Sequence, residues 1–221
     1  MGRHMFVPRS FAVEDAGPVV ELMRSNPLAC FVLGGESPSV SHLPVVFADD
    51  DERDDLAGIT LLTHMNRQNP LWGSLSDGAR VLVVFQGPHG YVSPTVYGVS
   101  PAAPTWNFTV VHAHGVVRLL GAGEPALRVV KRTVQVLEGR FGAGWDMTGS
   151  LGYFERIVHA VGALEIHVDA VQSMFKLSQD QPVELQSKVA AAFAGSGRGT
   201  HRELAEQMYT HLRLKADVDG F

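Results

Sequence analysis

The order of apolar and polar positions predicts a chain that is mostly β with peripheral helices. Short apolar runs bounded by turn residues predict strands. Six such runs occupy residues 28–33, 39–47, 58–64, 81–85, 108–120 and 162–177. Strands joined by short turns pair antiparallel, so we expect a small closed or split barrel, although the pattern alone leaves a β-sandwich open.

Apolar residues at intervals of three and four predict the helices. The clearest amphipathic pattern covers residues 124–141, and shorter ones cover 14–26, 70–75, 151–161, 181–193 and 200–214. Asn69 is a favoured N-cap and Pro70 a favoured first-turn residue, which gives the short second helix a defined start. The last helix has a narrow apolar stripe, so we expect it to dock on the body of the protein or on a partner subunit.

The strand at Val81–Phe85 is expected to stop at Gln86, because the next residues include glycines and a proline that break a strand ladder. The segment from Gln86 to Asn107 is therefore expected to be a loop. It is rich in aromatic, hydroxyl, amide and imidazole groups. Such a composition indicates a segment that holds a ligand.

Composition narrows the classes of protein. The chain has 221 residues, 45% of them hydrophobic, which suits one domain with a helical tail. A formal net charge of -5 argues against a broad basic surface for nucleic acid. The single cysteine, Cys30, excludes an intrachain disulfide and fits a reducing cytosol. No apolar run approaches the roughly 18 residues of a membrane span, so we expect a cytoplasmic protein without a membrane partner.

Two groups of polar residues are weak candidates for metal sites. The acidic turn at residues 48–55 lacks the ligand spacing of a calcium loop, so we interpret it as a solvated hairpin tip. His112 and His114 share one strand face, but two ligands are too few for a structural zinc. No motif of a hydrolase or kinase is present, so no catalytic residue is assigned.

Five motifs in order connect this sequence to a known family: SHLP, HMNRQNPLW, FQGPHGYVSP, PTWNF and FKLSQ. With them, the chain from Met5 to about Leu185 resembles the PaiB-type family of FMN-binding split-barrel proteins, described as negative transcriptional regulators. The resemblance implies an FMN-binding split β-barrel at residues 5–180, and the helical patterns of the tail predict a C-terminal extension at 181–221. It also implies a homodimer with the flavin in the groove between subunits.

The FMN phosphate requires cationic donors or a helix N-terminus to replace its hydration. The segment between the third strand and the short helix offers both, and its candidate residues are His64, Asn66, Arg67, Gln68 and Asn69. Lys176 is the second cation, with Ser178 and Gln179 as neutral donors beside it. Strict alternation from Leu164 places Lys176 on the apolar face of its strand, which requires either a bulge or an anionic partner.

The flavin ring requires apolar or aromatic walls and a few polar donors. The candidates of these types are Gln86, His89, Tyr91, Trp106 and Asn107. Three alternatives stay open at this point. The protein acts as a regulator with a DNA or protein partner, as a flavin-dependent oxidoreductase on a small substrate, or as a haem-binding split barrel with His42, His64 or His89 as axial ligand.

Overall fold

The computed structural model describes residues 5–50 and 56–219, with the side chains of residues 214–219 excepted. Within this part of the chain the strands are β1 (Leu28–Leu33), β2 (Ser39–Phe47), β3 (Thr60–Asn66), β4 (Arg80–Val92), β5 (Thr105–Leu119) and β6 (Val161–Lys176). The helices are α1 (Ala16–Ser25), α2 (Pro70–Ser74), α3 (Pro94–Tyr97), α4 (Glu124–Phe141), α5 (Leu151–Ile157), α6 (Val183–Ala194) and α7 (Gly199–Asp219). Most of the acidic turn, residues 51–55, lies outside the described residues.

The six strands form a closed barrel in the order β1-β2-β3-β6-β5-β4. β1 and β2 form an antiparallel hairpin in which Leu28 pairs with Pro44. β1 also pairs with β4, β2 with β3, and β3 with β6, all antiparallel. The predicted fold class, a mostly β barrel with peripheral helices, is confirmed.

The chain divides into two compact units. The unit that we call the barrel unit comprises residues 15–85 and 111–172. The unit that we call the second unit comprises the described residues up to Glu14, residues 86–110, and the chain from Ser173 onward. Each is described by itself below.

The core of the barrel unit follows from the alternation of its strands. Phe31, Leu61, Val83, Leu164 and Ile166 are fully buried. Phe31 pairs with Val83 and Leu61 with Ile166, so these side chains face the same side of the sheet. Burying five large apolar side chains contributes about 1.5–3 kcal/mol each before the cost of ordering the chain.

Helix α4 covers the outer side of the barrel unit. Its residues Leu127 and Val129 pack in one apolar cluster with Val46 of β2 and Leu62 of β3. The bounds of α4 agree with the pattern of apolar residues at intervals of three and four. That agreement is expected for an 18-residue helix with one continuous apolar stripe.

The prediction that the fourth strand ends at Phe85 is wrong, since β4 continues to Val92. β1 pairs with β4 only as far as Val84. On the edge of β4 that faces β1, no ladder hydrogen bond is therefore needed at Pro88, which has no N–H group. Gly90 is required because an added Cβ would lie 2.5 Å from a ring carbon of Phe193. The predicted loop thus shrinks to α3 and the residues before β5.

The buried side of β6 changes along the strand. Leu164, Ile166 and Val168 are buried at even positions, whereas Phe175 is buried at an odd position and Lys176 is half-buried. The strand passes from the barrel unit into the second unit at Ser173. The choice between a bulge and an anionic partner at Lys176 stays a prediction.

The C-terminal helices pack against each other in the second unit. Leu204, Ala205 and Met208 of α7 are buried, and the Met208 sulfur lies 3.6 Å from the Asn107 side-chain nitrogen. Buried residues of α7 therefore contact the chain's own residues, which is one of the two predicted alternatives; docking on a partner subunit stays a prediction. Among the described residues, no helix combines the length and the apolar content needed to cross a membrane.

Candidate functional site

The predicted phosphate segment lies in the barrel unit, where β3 leads into α2. The side chain of Asn66 accepts a hydrogen bond from the Gln68 amide at 2.8 Å. Asn69 caps α2 by accepting from the Leu71 amide at 3.0 Å, and it donates to the Ser41 hydroxyl at 2.9 Å. Because α2 has only five residues, its dipole is small. A phosphate contact here must come chiefly from side chains.

Arg67 is the charged group of this segment, and the fold holds it from three sides. Its amide donates to the Ala160 carbonyl at 2.9 Å, and its Nε donates to the Val161 carbonyl at 2.9 Å. The guanidinium lies over the Trp72 ring, 5.3 Å from the ring centre. Within the described part of the chain, no carboxylate forms an ion pair with Arg67. The terminal nitrogens of an oriented guanidinium suit a phosphate.

His64 adds a buried polar atom to the same segment. Its Nδ1 is buried and has no hydrogen-bond partner among the described residues. Burial lowers the pKa of His64 below the ordinary 6.5, so the ring is neutral at pH 7. A neutral imidazole with an unpaired nitrogen can accept or donate one hydrogen bond to a ligand.

An aromatic group occupies the second unit on β4 and β5. The His89 and Trp106 ring centres are 5.4 Å apart, and those of Tyr91 and Trp106 are 6.1 Å apart. Tyr91 and Trp106 are each 49% exposed. Gln86, one of the predicted donors, is exposed on β4. We call His89, Tyr91 and Trp106 the aromatic group. The His89 and Tyr91 rings are inclined to the Trp106 ring by 41° and 64°, and each of the three rings has an apolar face and a polar edge.

Asn107 and Ser178 bind each other inside the second unit. Both are buried, and the Asn107 Nδ2 donates to the Ser178 hydroxyl at 2.9 Å. Ser178 has a φ of 67°, a left-handed conformation that is costly for a serine. The bond to Asn107 stabilises that turn. Their direct contact with flavin stays a prediction.

Two further candidates are engaged with protein atoms next to this turn. The Lys176 ammonium donates to the Thr105 hydroxyl, and the Gln179 side chain donates to the Phe175 carbonyl. Lys176 also lies 5.8 Å from the centre of the Phe11 ring. Both residues hold the end of β6 in the structure, and their contact with FMN also stays a prediction.

Sequence reasoning missed the residues that support the candidates. Trp72 was not among the candidates, yet its half-buried ring lies beneath the Arg67 guanidinium. It gave no role to Thr105 or Ser41, which bind Lys176 and Asn69. These contacts join residues 28 or more positions apart, with the single exception of the Arg67–Trp72 pair, and no periodic pattern marks them.

The residues present fit FMN. Arg67 is an oriented cation without a carboxylate partner in the described residues, and His64 supplies an unpaired buried nitrogen close to it in the chain. Across residues 5–50 and 56–219, no group of three or more His, Cys, Asp or Glu side chains is arranged to hold a metal ion. Cys30 is half-buried and free.

The family comparison agrees with this chemistry. The sequence model described as "Putative FMN-binding domain" matches residues 5–170. The chain belongs to this family. FMN is therefore its cofactor, and the resemblance seen in the motifs is confirmed.

One relative and two solved structures are similar to this chain in sequence or in fold. The chain is 26% identical to the "Protease synthase and sporulation protein PAI 2" of Bacillus subtilis over 211 residues, 95% of this chain and 99% of that protein. The fold is similar to that of the conserved hypothetical protein Rv2991 from Mycobacterium tuberculosis (TM-score 0.53, 12% identity, 80% of this chain and 94% of that one). It is also similar to the FAD and heme binding protein from Mycobacterium smegmatis (TM-score 0.51, 16% identity, 81% and 78%).

Proposed function

We propose that this chain is a cytoplasmic homodimer that binds FMN as a ligand or redox sensor in the groove between subunits and regulates transcription. The observation that carries the proposal is the Arg67 guanidinium, which the Val161 carbonyl and the Trp72 ring orient without neutralising its charge. An oriented guanidinium that forms no ion pair with a described carboxylate is suited to a phosphate.

In this proposal Arg67 is the main phosphate ligand. Asn66 and Gln68 fix the turn through their own hydrogen bond, and His64 contributes one bond from its unpaired nitrogen. The guanidinium supplies up to two parallel N–H donors, and each charge-assisted bond is worth about 1.5–3 kcal/mol. The neighbouring Asn69 caps α2 and keeps the turn closed.

The aromatic group is the proposed wall for the isoalloxazine ring. Trp106 is flanked by His89 and Tyr91, and the half-exposed faces of Tyr91 and Trp106 offer area for stacking. Gln86 is an exposed amide on the same strand as His89. When bound, a flavin supplies one- or two-electron redox chemistry, and the residues of the chain bind and orient it.

The regulatory part of the proposal rests on the resemblance to the PaiB-type family, together with the similarity to the protease synthase and sporulation protein of B. subtilis. On α7, Arg202 and Arg213 are exposed, but Glu203 and Glu206 are exposed as well. Alternating charges do not form the basic stripe that DNA requires, so we expect regulation through a protein partner. A gel-shift titration at low salt should show no preference for promoter fragments over random DNA; a clear preference would establish direct repression.

A flavin-dependent oxidoreductase is the second candidate. It is favoured by the half-exposed Tyr91 and Trp106, because a ring stacked on an open surface stays accessible to a small substrate. Anaerobic mixing of the FMN-loaded protein with NADH or NADPH tests it. Bleaching of the flavin absorbance would support an enzyme; an unchanged spectrum with both nucleotides would support a ligand-binding role.

The absorbance spectrum of the purified protein, followed by titration with FMN, tests the whole proposal. We expect flavin bands at one FMN per chain and quenching of flavin fluorescence by the aromatic group. A haem Soret band would instead indicate axial ligation by His42, His64 or His89. Neither band, together with no saturable binding of added FMN, would overturn the proposal.

A further inference from the structure

A cavity of about 410 Å³ lies in the barrel unit between α1, β2 and α4. Its described lining includes Arg24 from α1, Phe47 from β2, and Arg132 and Arg140 from α4. None of the residues predicted for FMN is among that lining. The volume lies within the range of small-molecule sites, about 300–1,000 Å³.

Two of the three arginines are held in place by carboxylates. Arg132 donates to Asp50 at 2.7 Å and more weakly to the Phe47 carbonyl at 3.4 Å. Arg140 donates to Glu21 and, at 2.6 Å, to the Ser25 hydroxyl. The Arg132 and Arg140 side chains are only 23% and 34% exposed, so part of their hydration is already lost. These ion pairs hold each of the two guanidinium groups in a fixed orientation.

Arg24 differs from the other two arginines. Its guanidinium lies over the Phe47 ring, 5.3 Å from the ring centre, and it donates to the Asp50 carbonyl at 3.5 Å. In the described ranges it forms no ion pair with a carboxylate. The hydrogen bond from Arg132 lowers the pKa of the Asp50 carboxyl, and the charge of Arg24 adds to this effect. Three guanidinium groups thus share the carboxylates of Asp50 and Glu21 among the described residues.

Most of the remaining lining is apolar, and Pro27, Val45, Val46, Phe47 and Val136 contribute to it. Asp50, Gln135 and Gly139 complete the described lining. A ligand that satisfies both parts of the lining has one anionic end and a hydrocarbon body. A polyanion such as a nucleoside triphosphate meets too few cations here to replace its hydration.

We propose that this cavity binds a small amphipathic monoanion, a carboxylate on a short hydrocarbon chain, at a site separate from the FMN residues. Arg24 binds the carboxylate of the ligand, and the positive charges of Arg132 and Arg140 on α4 attract it as well. The chain packs on Phe47, Val45 and Val136. The ligand joins α1 and α4 to β2, so its binding stabilises the barrel unit.

Calorimetric titration of the full-length, FMN-loaded protein with octanoate tests this inference, with octan-1-ol as the uncharged control ligand. We expect saturable binding of one octanoate per chain, weaker binding of octan-1-ol, and no change in the flavin spectrum. Arg24→Gln should weaken octanoate about tenfold and leave octan-1-ol unchanged. Arg128→Gln, which removes an exposed arginine of α4 that does not line the cavity, should change neither.

A second variant locates the site independently of charge. Val136→Trp fills the cavity and should abolish binding of both ligands while the circular dichroism spectrum stays native. The proposal is overturned by any of three results: no saturable octanoate binding at millimolar concentration, equal losses in the Arg24 and Arg128 variants, or unchanged binding in Val136→Trp. Displacement of FMN by octanoate would also overturn it, because the ligand would then occupy the flavin site.

Discussion

At the scale of single residues, the geometry of the predicted phosphate segment depends on a glycine, because no side chain fits at position 162. Gly162 lies beneath Trp72, and a Cβ at that position would lie 2.4 Å from a carbon of the indole ring. The indole in turn supports the Arg67 guanidinium. Gly162 therefore controls the position of Arg67 through one aromatic ring.

Replacing Gly162 by alanine should displace Trp72 and destabilise the protein by about 1–3 kcal/mol, the usual cost of overpacking. FMN affinity should fall as well, because Arg67 loses its support. Chemical unfolding and FMN titration measure the two effects. Gly152→Ala is the matched control: the nearest atom to the added Cβ is 4.0 Å away, and alanine should stabilise α5 by about 0.5–1 kcal/mol. Equal stability of the two variants would contradict the packing around Trp72.

His64 predicts an acid sensitivity of folding. Burial lowers its pKa in the folded protein, so the unfolded chain binds a proton more readily. The stabilising contribution is complete above the unfolded value of about 6.5 and is lost as the pH falls through the lower folded value. Burial also lowers the pKa of His112, with a contribution from His114, and this adds an effect of the same sign.

Urea unfolding at pH 7 and pH 5 checks this prediction. The wild-type protein should lose stability at pH 5, and His64→Gln, which does not titrate, should lose less of it. At pH 7, the difference in free energy of unfolding between the wild type and His64→Gln measures the stability lost with the imidazole ring itself. A pH dependence in His64→Gln as steep as that of the wild type would show that His64 is not the responsible group.

At the scale of elements, β4 shows where sequence reasoning fails. Glycines and a proline after Phe85 locally favour a loop, yet the strand continues because Phe193 of α6 packs directly on Gly90. His201 of α7 adds to the same contact, with its ring 4.9 Å from that of Phe193. The partners are more than 100 residues from Gly90, so no local pattern contains this information.

The contact at Gly90 predicts a specific coupling. Gly90→Ala should destabilise the protein by about 1–3 kcal/mol, since its Cβ meets the Phe193 ring at 2.5 Å. Phe193→Leu removes part of that ring, so the double variant should be more stable than the sum of the single effects implies. Thermal unfolding of all four proteins measures the coupling. Strict additivity would show that the two residues do not touch.

Elements with strong internal patterns could be predicted well. β1, β2 and α4 match their predicted bounds, because the apolar pattern that determines each element lies within its own sequence. Lys176 could be predicted only as a choice between a bulge and an anion, since the change of parity along β6 depends on long-range packing. Arg67 was identified as a candidate from its charge, but its support by Trp72 and Val161 was not.

At the scale of the whole molecule, the proposed assembly is a homodimer. Leu28 and Val40 of the β1–β2 hairpin are 66% and 53% exposed, and the outward residues Phe108, His112 and Val116 of β5 are only half-buried. Apolar strand faces of this kind favour cover by a second copy. Light scattering at micromolar concentration should report twice the 23.9 kDa of one chain. A mass of one chain would contradict the groove between subunits as the flavin site.

The central claim is that Arg67 binds the phosphate of FMN, and calorimetry of Arg67→Ala with FMN and with riboflavin tests it most directly. The loss of a charge-assisted contact of about 1.5–3 kcal/mol should weaken FMN about 10- to 150-fold. Riboflavin has no phosphate, so its affinity should change far less, and Arg128→Ala should change neither ligand. An equal loss for FMN and riboflavin, or no loss for either, would contradict the account.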